Sequence, residues 1–560
     1  MSEIYDVIVI GGGPAGSSIS TLLSNWGRKV LLLEKEKFPR EHIGESLLPA
    51  NWKVFDKLGV SERIRSTSFV PKPGGTFIWG KDRNPWTVYF GEVNGLPAAR
   101  QVKRDIFDKI LLDNAKEKGV KVKEQSIVKE VIFEDNRATG VVYENGKQTC
   151  EAKAKYVVDA SGQDKLLGKK LKSVEYNPDF KNIAVWSYWE NGKQLEGHDK
   201  GNVIYITFEH GWFWYIPLDF DNNLISVGAI VRPEGRKELK EKGFEKFYLD
   251  AIKSSDQLPQ LLKDAKQVAD VKVIKDYSYR NKQLFGEGWL MVGDAACFVD
   301  PILSSGVMLA TSNGMMGAYA LNMILDDPNI EKDILKRYED MYIRNYNTFT
   351  ELCNNMYDTQ KKSKEDYFSG ARNLVQPKLA HEKVDETGDR QAFISLISGL
   401  NQKDTEKVIN NFLEKRKKIG DNRTTFNEET MFMVFDHINQ NLRNQKNKNE
   451  IINSETLIEL NSKVEIKNEY FVPVVPNANK MNQQRVLKNQ FGDIIQISPL
   501  LELLVASLRV DKLNVSELKM ILSEKLQDEI KEKELIKWLK LCHNYGLIEL
   551  NNQVLGVTNV

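Results

Sequence analysis

Short, fully apolar runs alternate with helical stretches along the first part of the chain. Residues 5–10 are apolar and β-branched, the mark of a strand buried on both faces. Residues 14–26 follow with helical spacing and stop at Gly27, and residues 29–33 give a second buried strand ending on Glu34. Similar apolar runs return at 156–160 and 289–292, as if one parallel sheet were interrupted and resumed. Between them, 186–189, 203–208, 212–216 and 224–231 read as strands separated by turns such as Asp221-Asn222-Asn223, which predicts an antiparallel sheet. From Val307 to about residue 419 the spacing is helical. Residues 421–480 are then rich in Asn, Lys and Glu, with 439–453 reading as a solvated linker. A compact pattern closes the chain, with amphipathic helices expected at 499–508, 515–526 and 532–545 and a short final strand.

The fold class expected is therefore α/β: a Rossmann-like dinucleotide-binding domain with an inserted antiparallel-sheet substrate domain, a helical region and a small winged-helix-like C-terminal module. The core is expected over 1–420, with dinucleotide-binding parts at about 1–70, 100–165 and 280–330. The substrate sheet takes about 71–99 and 166–279, and the helical region 331–420. A linker at 421–483 and the module at 484–560 complete the chain.

Composition narrows the class. At 560 residues the chain exceeds one domain of ~150 residues. Its 41% hydrophobic and 28% charged content is that of a soluble globular protein. A formal net charge of +1 offers no global attraction to nucleic acid or an anionic membrane. No run of ~18 apolar residues predicts a membrane helix, and no secretory signal is apparent, so a cytoplasmic location is expected. The four cysteines are scattered and the six histidines unclustered, which argues against disulfides and metal.

Candidate chemistry begins at Gly11-Gly12-Gly13-Pro14-Ala15-Gly16, a G-x-G-x-x-G turn set between strand and helix. Gly11 allows the tight turn, Gly13 lets the backbone approach a pyrophosphate, and Gly16 lets the helix pack on the sheet. The phosphates would sit at the helix N-terminus, where free N–H groups favour anions. Glu34 would accept from the adenosine ribose, and its charge repels a 2′-phosphate, so FAD or NAD is favoured over NADP.

Asp159-Ala160-Ser161-Gly162, Gly293-Asp294-Ala295-Ala296 and Gln101-Val102-Lys103-Arg104 resemble the further flavin-contacting segments of two-domain flavoprotein monooxygenases, which points to FAD. By that resemblance Asp294 hydrogen-bonds the ribityl chain and Arg104 reaches the pyrophosphate or the nearby ribose. Between these flavin elements stands Trp212-Phe213-Trp214-Tyr215-Ile216-Pro217, a W-x-W-x-I-P strand. Phe298-Val299-Asp300-Pro301-Ile302-Leu303-Ser304-Ser305-Gly306 reads F-x-x-P-x-x-S-x-G, and Arg40 to Ser46 reads R-x-x-x-G-E-S, with Gly44 and Glu45. Lys72 precedes a glycine-aromatic stretch, Pro73-Gly74-Gly75-Thr76-Phe77-Ile78-Trp79-Gly80.

Together these motifs resemble the flavin-dependent halogenases, over roughly residues 4–400, and in particular members acting on phenols and pyrroles. Residues 366–372 and 392–399 resemble the helical region of the phenol-type members. The resemblance implies FAD supplied as FADH2, O2, and chloride or bromide. Trp212 and Trp214 would share one strand face and wall off the flavin, with Phe213 and Tyr215 turned away. The Ser305 and Gly306 amides would cradle halide, next to Ser304, and Pro301 and Gly306 would also contact flavin. Lys72 would relay the oxidant, either as an ammonium polarising hypohalous acid or as a neutral amine forming a haloamine.

No second dinucleotide unit is present, which implies a separate NAD(P)H flavin reductase as partner. The substrate would be an aromatic small molecule or a carrier-protein-bound one. Tryptophan halogenases carry a glutamate just before the serine pair, where this chain has Leu303, so an electron-rich phenol or pyrrole fits better than free tryptophan. Met308 stands where many relatives have histidine, and no physical reason for that change is evident. Alternatives are an aromatic monooxygenase, a reductase of isoprenoid double bonds with the same N-terminal pattern and, from a different class, a catalytically idle flavoprotein whose C-terminal module docks a partner. The first two leave Lys72 and the tryptophans without a task.

Overall fold

The structure is a computed structural model that describes residues 3–93, 96–359, 362–375 and 386–400, together with discontinuous segments between 456 and 551. The chain divides into two compact units, the described residues up to 400 lying in the first and those after 456 in the second.

In the first unit the apolar runs form a parallel sheet as their composition predicts. Ile4–Ile10 lies between Val30–Leu33 and Gln148–Asp159, with Lys121–Lys123 beyond one neighbour and Trp289–Met291 beyond the other, all parallel. A hairpin, Ser126–Glu134 with Arg137–Asn145, runs antiparallel onto Gln148–Asp159. The helix Pro14–Asn25 follows the glycine turn, and Gly306–Asp326 packs against it. Gly314 permits this crossing, because a Cβ there would press on the Ala15 carbonyl.

The second sheet of this unit runs Lys266–Gln267, Ile183–Glu190, Leu224–Val231, Gly211–Asp219, Val203–Phe208, Gly74–Ile78, Pro85–Tyr89, with Lys272–Lys275 also on Ile183–Glu190. It departs from the purely antiparallel expectation at one place. Val203–Phe208 pairs parallel with Gly74–Ile78, since the two segments are joined through the dinucleotide domain rather than by a hairpin. One face is closed by Phe247, Tyr248, Ile252 and Leu258 on Val185, Phe213, Tyr215 and Val227, which is why Phe213 and Tyr215 turn away from the tryptophans.

The second unit holds Leu457–Leu460 between Leu513–Asn514 and Ile548–Asn551, a separate three-stranded sheet over Glu465–Phe471, Asn482–Lys488 and Ile494–Gln496, and the helices Pro499–Leu508 and Val515–Leu526. Ile458, Leu504, Leu518, Leu522 and Leu539 form its core. The range expected as a linker, 421–483, therefore carries two strands of this unit. Leu457, Ile458 and Leu460 give the first its apolar content, which the surrounding Lys, Asn and Glu masked in the sequence. Residues 421–455 of that expectation, and most of the helix expected at 532–545, lie outside the described residues.

Trp214 stands opposite Gly228 in register, and its indole occupies the space where a Cβ of residue 228 would be. Gly228→Ala is expected to cost about 1–3 kcal/mol through overpacking, read as a lowered denaturation midpoint with Ala229→Gly as the control for strand propensity.

Candidate active site

The glycine turn is built as a phosphate cradle. Gly11 has φ +104°, and a Cβ on Gly16 would collide with the Gly11 carbonyl, so neither position accepts a side chain. Pro14 opens the helix, Ala15 packs beside Gly293, and the helix N-terminus has no side-chain cap, which leaves its amides for a ligand. Glu34 is buried, accepts from the Gly12 amide at 2.6 Å and the Glu36 amide at 2.8 Å, and so stands at the turn's edge.

The two arginines divide their tasks differently from the sequence expectation. Arg104 is buried and spends four bonds on protein: Nε and Nη2 to Asp108 at 2.8 and 2.9 Å, and Nη1 to the Ile43 and Gly44 carbonyls at 2.5 and 3.1 Å. It therefore holds the 43–46 segment, with Gly44 at φ +99° beneath its guanidinium. Arg40 instead comes to the glycine turn, with Nη1 3.2 Å from Asp108 Oδ2 and Nη2 facing Gly13. Asp159 likewise turns inward, accepting from the Ser161 and Leu167 amides at 3.0 and 2.7 Å, and shapes the turn that follows its strand.

Asp294 is placed for a ligand. Its carboxyl, half-buried and pushed up to about 6 by desolvation, accepts one long bond, from Gln163 Nε2 at 3.3 Å. Glu45 Oε2, Ser46 Oγ and Gln101 Oε1 are buried without a hydrogen-bond partner among the described residues. A Cβ-free turn, an uncapped helix end, an acid short of donors and these orphaned atoms fit FAD, whose phosphates, ribityl hydroxyls and ring edge supply the missing partners.

Residues 45–47 run beside Ala99–Gln101 and meet it at one isolated bridge, Ser46 to Gln101. The Leu47 amide donates to the Arg100 carbonyl at 2.9 Å and the Val102 amide to the Glu45 carbonyl at 2.7 Å, with Ser46 facing Gln101. Val70–Lys72 pairs on the other side of Ala99–Gln101. This ribbon carries Lys72 inward, where Nζ donates to the Leu47 carbonyl at 3.0 Å and lies 5.5 Å from the Phe90 ring centroid. Lys72 is only 2% exposed, and burial pushes its ammonium down to about 7. Burial pushes the Glu45 carboxyl up to about 7, while the Ser226 and Tyr188 hydroxyls and the Arg104 charge pull it back.

Gly211–Asp219, the tryptophan strand, lies against both strands of that ribbon. The Trp212 and Trp214 rings share one face with centroids 6.2 Å apart, and Trp79 meets Trp212 edge-on at 6.0 Å. Trp214 Nε1 donates to Ser226 Oγ at 3.1 Å, so Ser226 sits between the indole and the Glu45 carboxyl. Tyr205 packs 5.9 Å from Trp212, and its hydroxyl meets Ser304 Oγ at 3.3 Å. Tyr188, Tyr205 and Ser226 were not singled out in the sequence; only their inward alternation on strands marked them.

Pro301–Leu303 forms a 3-10 turn, Ser304 takes the left-handed region at φ +55°, and Ser305 starts the helix Gly306–Asp326. The Ser305 and Gly306 amides find no acceptor among the described residues, and a Cβ on Gly306 would press on Phe298. Among the described residues no group of His, Cys, Asp and Glu could hold a metal ion.

A Rossmann-type cradle that fits FAD, joined to a second sheet whose tryptophan strand lies against the strand of a buried lysine, defines a flavin-dependent oxidoreductase. The model of the tryptophan halogenase family matches residues 6–99 and 93–405. Tryptophan 2-halogenase of Chondromyces crocatus is 31% identical, over 70% of this chain and 75% of its own length. The 1H-pyrrole-2-carbonyl-[peptidyl-carrier protein] chlorinase of Pseudomonas fluorescens is 34% identical, over 61% of this chain and 80% of its own. The myxobacterial chondrochloren halogenase CndH superposes with a TM-score of 0.61 at 35% identity, covering 71% of this chain and 97% of its own. CmlS shares the fold across 99% of this chain and 97% of its own, at a TM-score of 0.70 and 24% identity. The chain belongs to the flavin-dependent halogenases.

The buried lysine makes stability depend on pH. Below about 7 the folded protein must carry a charged ammonium in an apolar site, whereas in the unfolded chain lysine keeps its proton to about 10.4. Wild-type stability therefore rises with pH between those values, as the native state releases a proton that the unfolded chain retains. Lys72→Met is expected to raise the denaturation midpoint, and by more at pH 6 than at pH 9; calorimetry at both values checks it.

Proposed function

We propose that this halogenase uses FADH2, O2 and chloride or bromide to halogenate an electron-rich ring, a phenol or a pyrrole, presented free or tethered to a carrier protein. The observation that carries this reading is Lys72, a lysine buried on the Leu47 carbonyl beside the Phe90 ring, with no carboxylate pairing it among the described residues. Reduced FAD with O2 supplies the two-electron oxidation of halide to hypohalous acid. The chain's own residues bind, exclude and relay. The Ser305 and Gly306 amides, at the start of a 21-residue helix, hold the halide, and Ser304 keeps the turn in place through Tyr205.

Trp212 and Trp214 keep water and the organic substrate from the flavin side. Lys72 takes the oxidant. With its ammonium pushed down to about 7, a neutral amine is populated near neutral pH. That amine can take the halogen from hypohalous acid, its proton leaving with the hydroxide as water. Arg40, Glu34 and Asp294 hold the pyrophosphate, ribose and ribityl chain, and Arg104 supports them through Ile43 and Gly44.

Leu303 is apolar and buried at the place where tryptophan halogenases carry their glutamate, which supports a ring reactive enough to need no carboxylate beside it. Carrier-bound pyrroles are the substrates named for two relatives, the chlorinase above and a brominase of Pseudoalteromonas luteoviolacea, which supports tethering as one mode of presentation. A separate NAD(P)H flavin reductase as partner and a cytoplasmic location complete the reading. No helix among the described residues is long and apolar enough to cross a membrane.

The test is product analysis. Holoprotein with a flavin reductase, NADH, O2 and bromide is given phenols and pyrroles, and products are read by mass spectrometry. The expected result is a bromine isotope doublet that falls by roughly 100-fold or more in Lys72→Ala while flavin oxidation continues. Hydroxylated product without halogen would establish a monooxygenase instead.

A further inference from the structure

Trp212 of the wall and Trp79, which meets it edge-on, end their indole N–H on the last turn of the helix Glu331–Tyr357. Trp79 Nε1 donates to the Met356 carbonyl at 2.9 Å, and Trp212 Nε1 to the Tyr357 hydroxyl at 3.0 Å. Tyr357 passes its own proton on, with its oxygen 3.0 Å from each carboxylate oxygen of Asp300. Asn182 Nδ2 braces the pair, 3.1 Å from the Tyr357 hydroxyl and 3.2 Å from Asp300 Oδ2. A phenolic oxygen offers one proton and two lone pairs, and here all three are engaged. Trp212, Asn182 and Asp300 are each 1% exposed and Tyr357 is half-buried, so a partner lost by Trp212 or Asp300 leaves a buried polar group unpaired.

Asp300 is at the same time the cap of the Pro301–Leu303 turn, accepting from the Ile302 amide at 3.0 Å. That turn delivers Ser304 and Ser305. One carboxylate thus holds the turn by its backbone and, through a single hydroxyl, the indole of the wall. The groups facing Asp300 are Tyr357 and Cys353 from the long helix, Tyr277 from the segment before Tyr279–Asn281, and Asn182. Arg232 pairs with Glu234 at 3.6 Å, lies 5.4 Å from the Tyr357 ring centroid and donates to the Tyr357 main-chain carbonyl at 3.3 Å. Among the described residues no cation pairs with Asp300, whose carboxylate is held by hydrogen bonds.

We propose that Asp300 and Tyr357 are a positioning pair that locks the tryptophan wall to the 301–305 turn, so that wall and turn keep one geometry and the oxidant made between them is retained. This rests on the halogenase reading for its chemistry, but its structural core does not. Asp300 makes no hydrogen bond to Trp212. Its hydrogen-bonded route to that indole is the Tyr357 hydroxyl, and a second, longer route runs through the turn, Ser304 and Tyr205. A Trp212 response shared by Asp300→Asn and Tyr357→Phe assigns the effect to the first.

The experiment compares wild type, Tyr357→Phe and Asp300→Asn as full-length FAD-loaded proteins. With flavin reductase, NADH, O2, bromide and phenol, bromophenol formed per flavin oxidised is expected to fall at least fivefold in both variants. Hypobromous acid trapped in solution by taurine should rise to match, with flavin oxidation within twofold of wild type. A pair that only stabilises the fold would lower the denaturation midpoint and leave that ratio alone, which overturns the proposal. In parallel, fluorine NMR of fluorotryptophan-labelled protein, with Trp212 assigned through Trp212→Phe, should show the Trp212 resonance moved or broadened in Asp300→Asn as well as in Tyr357→Phe. An unmoved resonance in Asp300→Asn overturns it. Should Tyr357→Phe fail to fold, Asn182→Ala must move the same resonance. If no protein brominates phenol yet the resonance moves, the free-phenol reading falls and the lock stands.

Discussion

Two main-chain hydrogen bonds hold the site together: Leu47 N–H to the Arg100 carbonyl and Val102 N–H to the Glu45 carbonyl. They stitch the segment that follows the dinucleotide cradle onto the short strand Ala99–Gln101, whose other edge carries Val70–Lys72. Through this ribbon the cradle, the lysine and the tryptophan strand share one rigid reference. Register does the rest. Because side chains alternate along a strand, Lys72 and Ala99 face one way and Pro71 and Arg100 the other. A slip of one residue would put the ammonium outside. Arg104, expected at the pyrophosphate or the nearby ribose, secures the same segment from below through Asp108 and two carbonyls.

The ionisable groups around this ribbon share one electrostatic condition. Lys72 is displaced downward, and Glu45, Asp294 and Asp300 upward, each chiefly by loss of water. The interior therefore favours neutral forms of both signs. In such a medium the hydrogen bonds to backbone amides and indoles count for more than they would in water, and a diffusing charge finds little competing screening. Arg104 with Asp108 is the exception, a compensated pair that remains charged because each offers the other a matched partner.

Much of this was legible in the sequence, for identifiable reasons. Gly11, Gly16 and Glu34 could be read because a cradle depends on backbone conformation, which glycine announces. Trp212 and Trp214 could be placed on a common face because strand periodicity is strict, and the fold agrees. Other features depend on partners distant in the chain. Nothing near Asp159 signals that its oxygens are taken by Ser161 and Leu167, nor does Arg40 differ locally from Arg104. Tyr205, Ser226 and Tyr188 lie in ordinary apolar strands and gain meaning only from what faces them. The strands of the second unit were obscured because their apolar positions are few and embedded in Lys, Asn and Glu.

The single parallel pairing in the second sheet governs how the molecule can be made. Gly74–Ile78 and Val203–Phe208 meet only after residues 79–202 have been looped out, and that loop contains much of the dinucleotide domain. Closing so long a loop costs entropy that only many simultaneous contacts repay, and contacts so remote in sequence form slowly. Closure of this pairing is therefore expected late, after the looped-out strands have compacted. A partly folded chain would then have a nucleotide cradle but no aromatic chamber, and the chamber is expected among the last parts of the molecule to form.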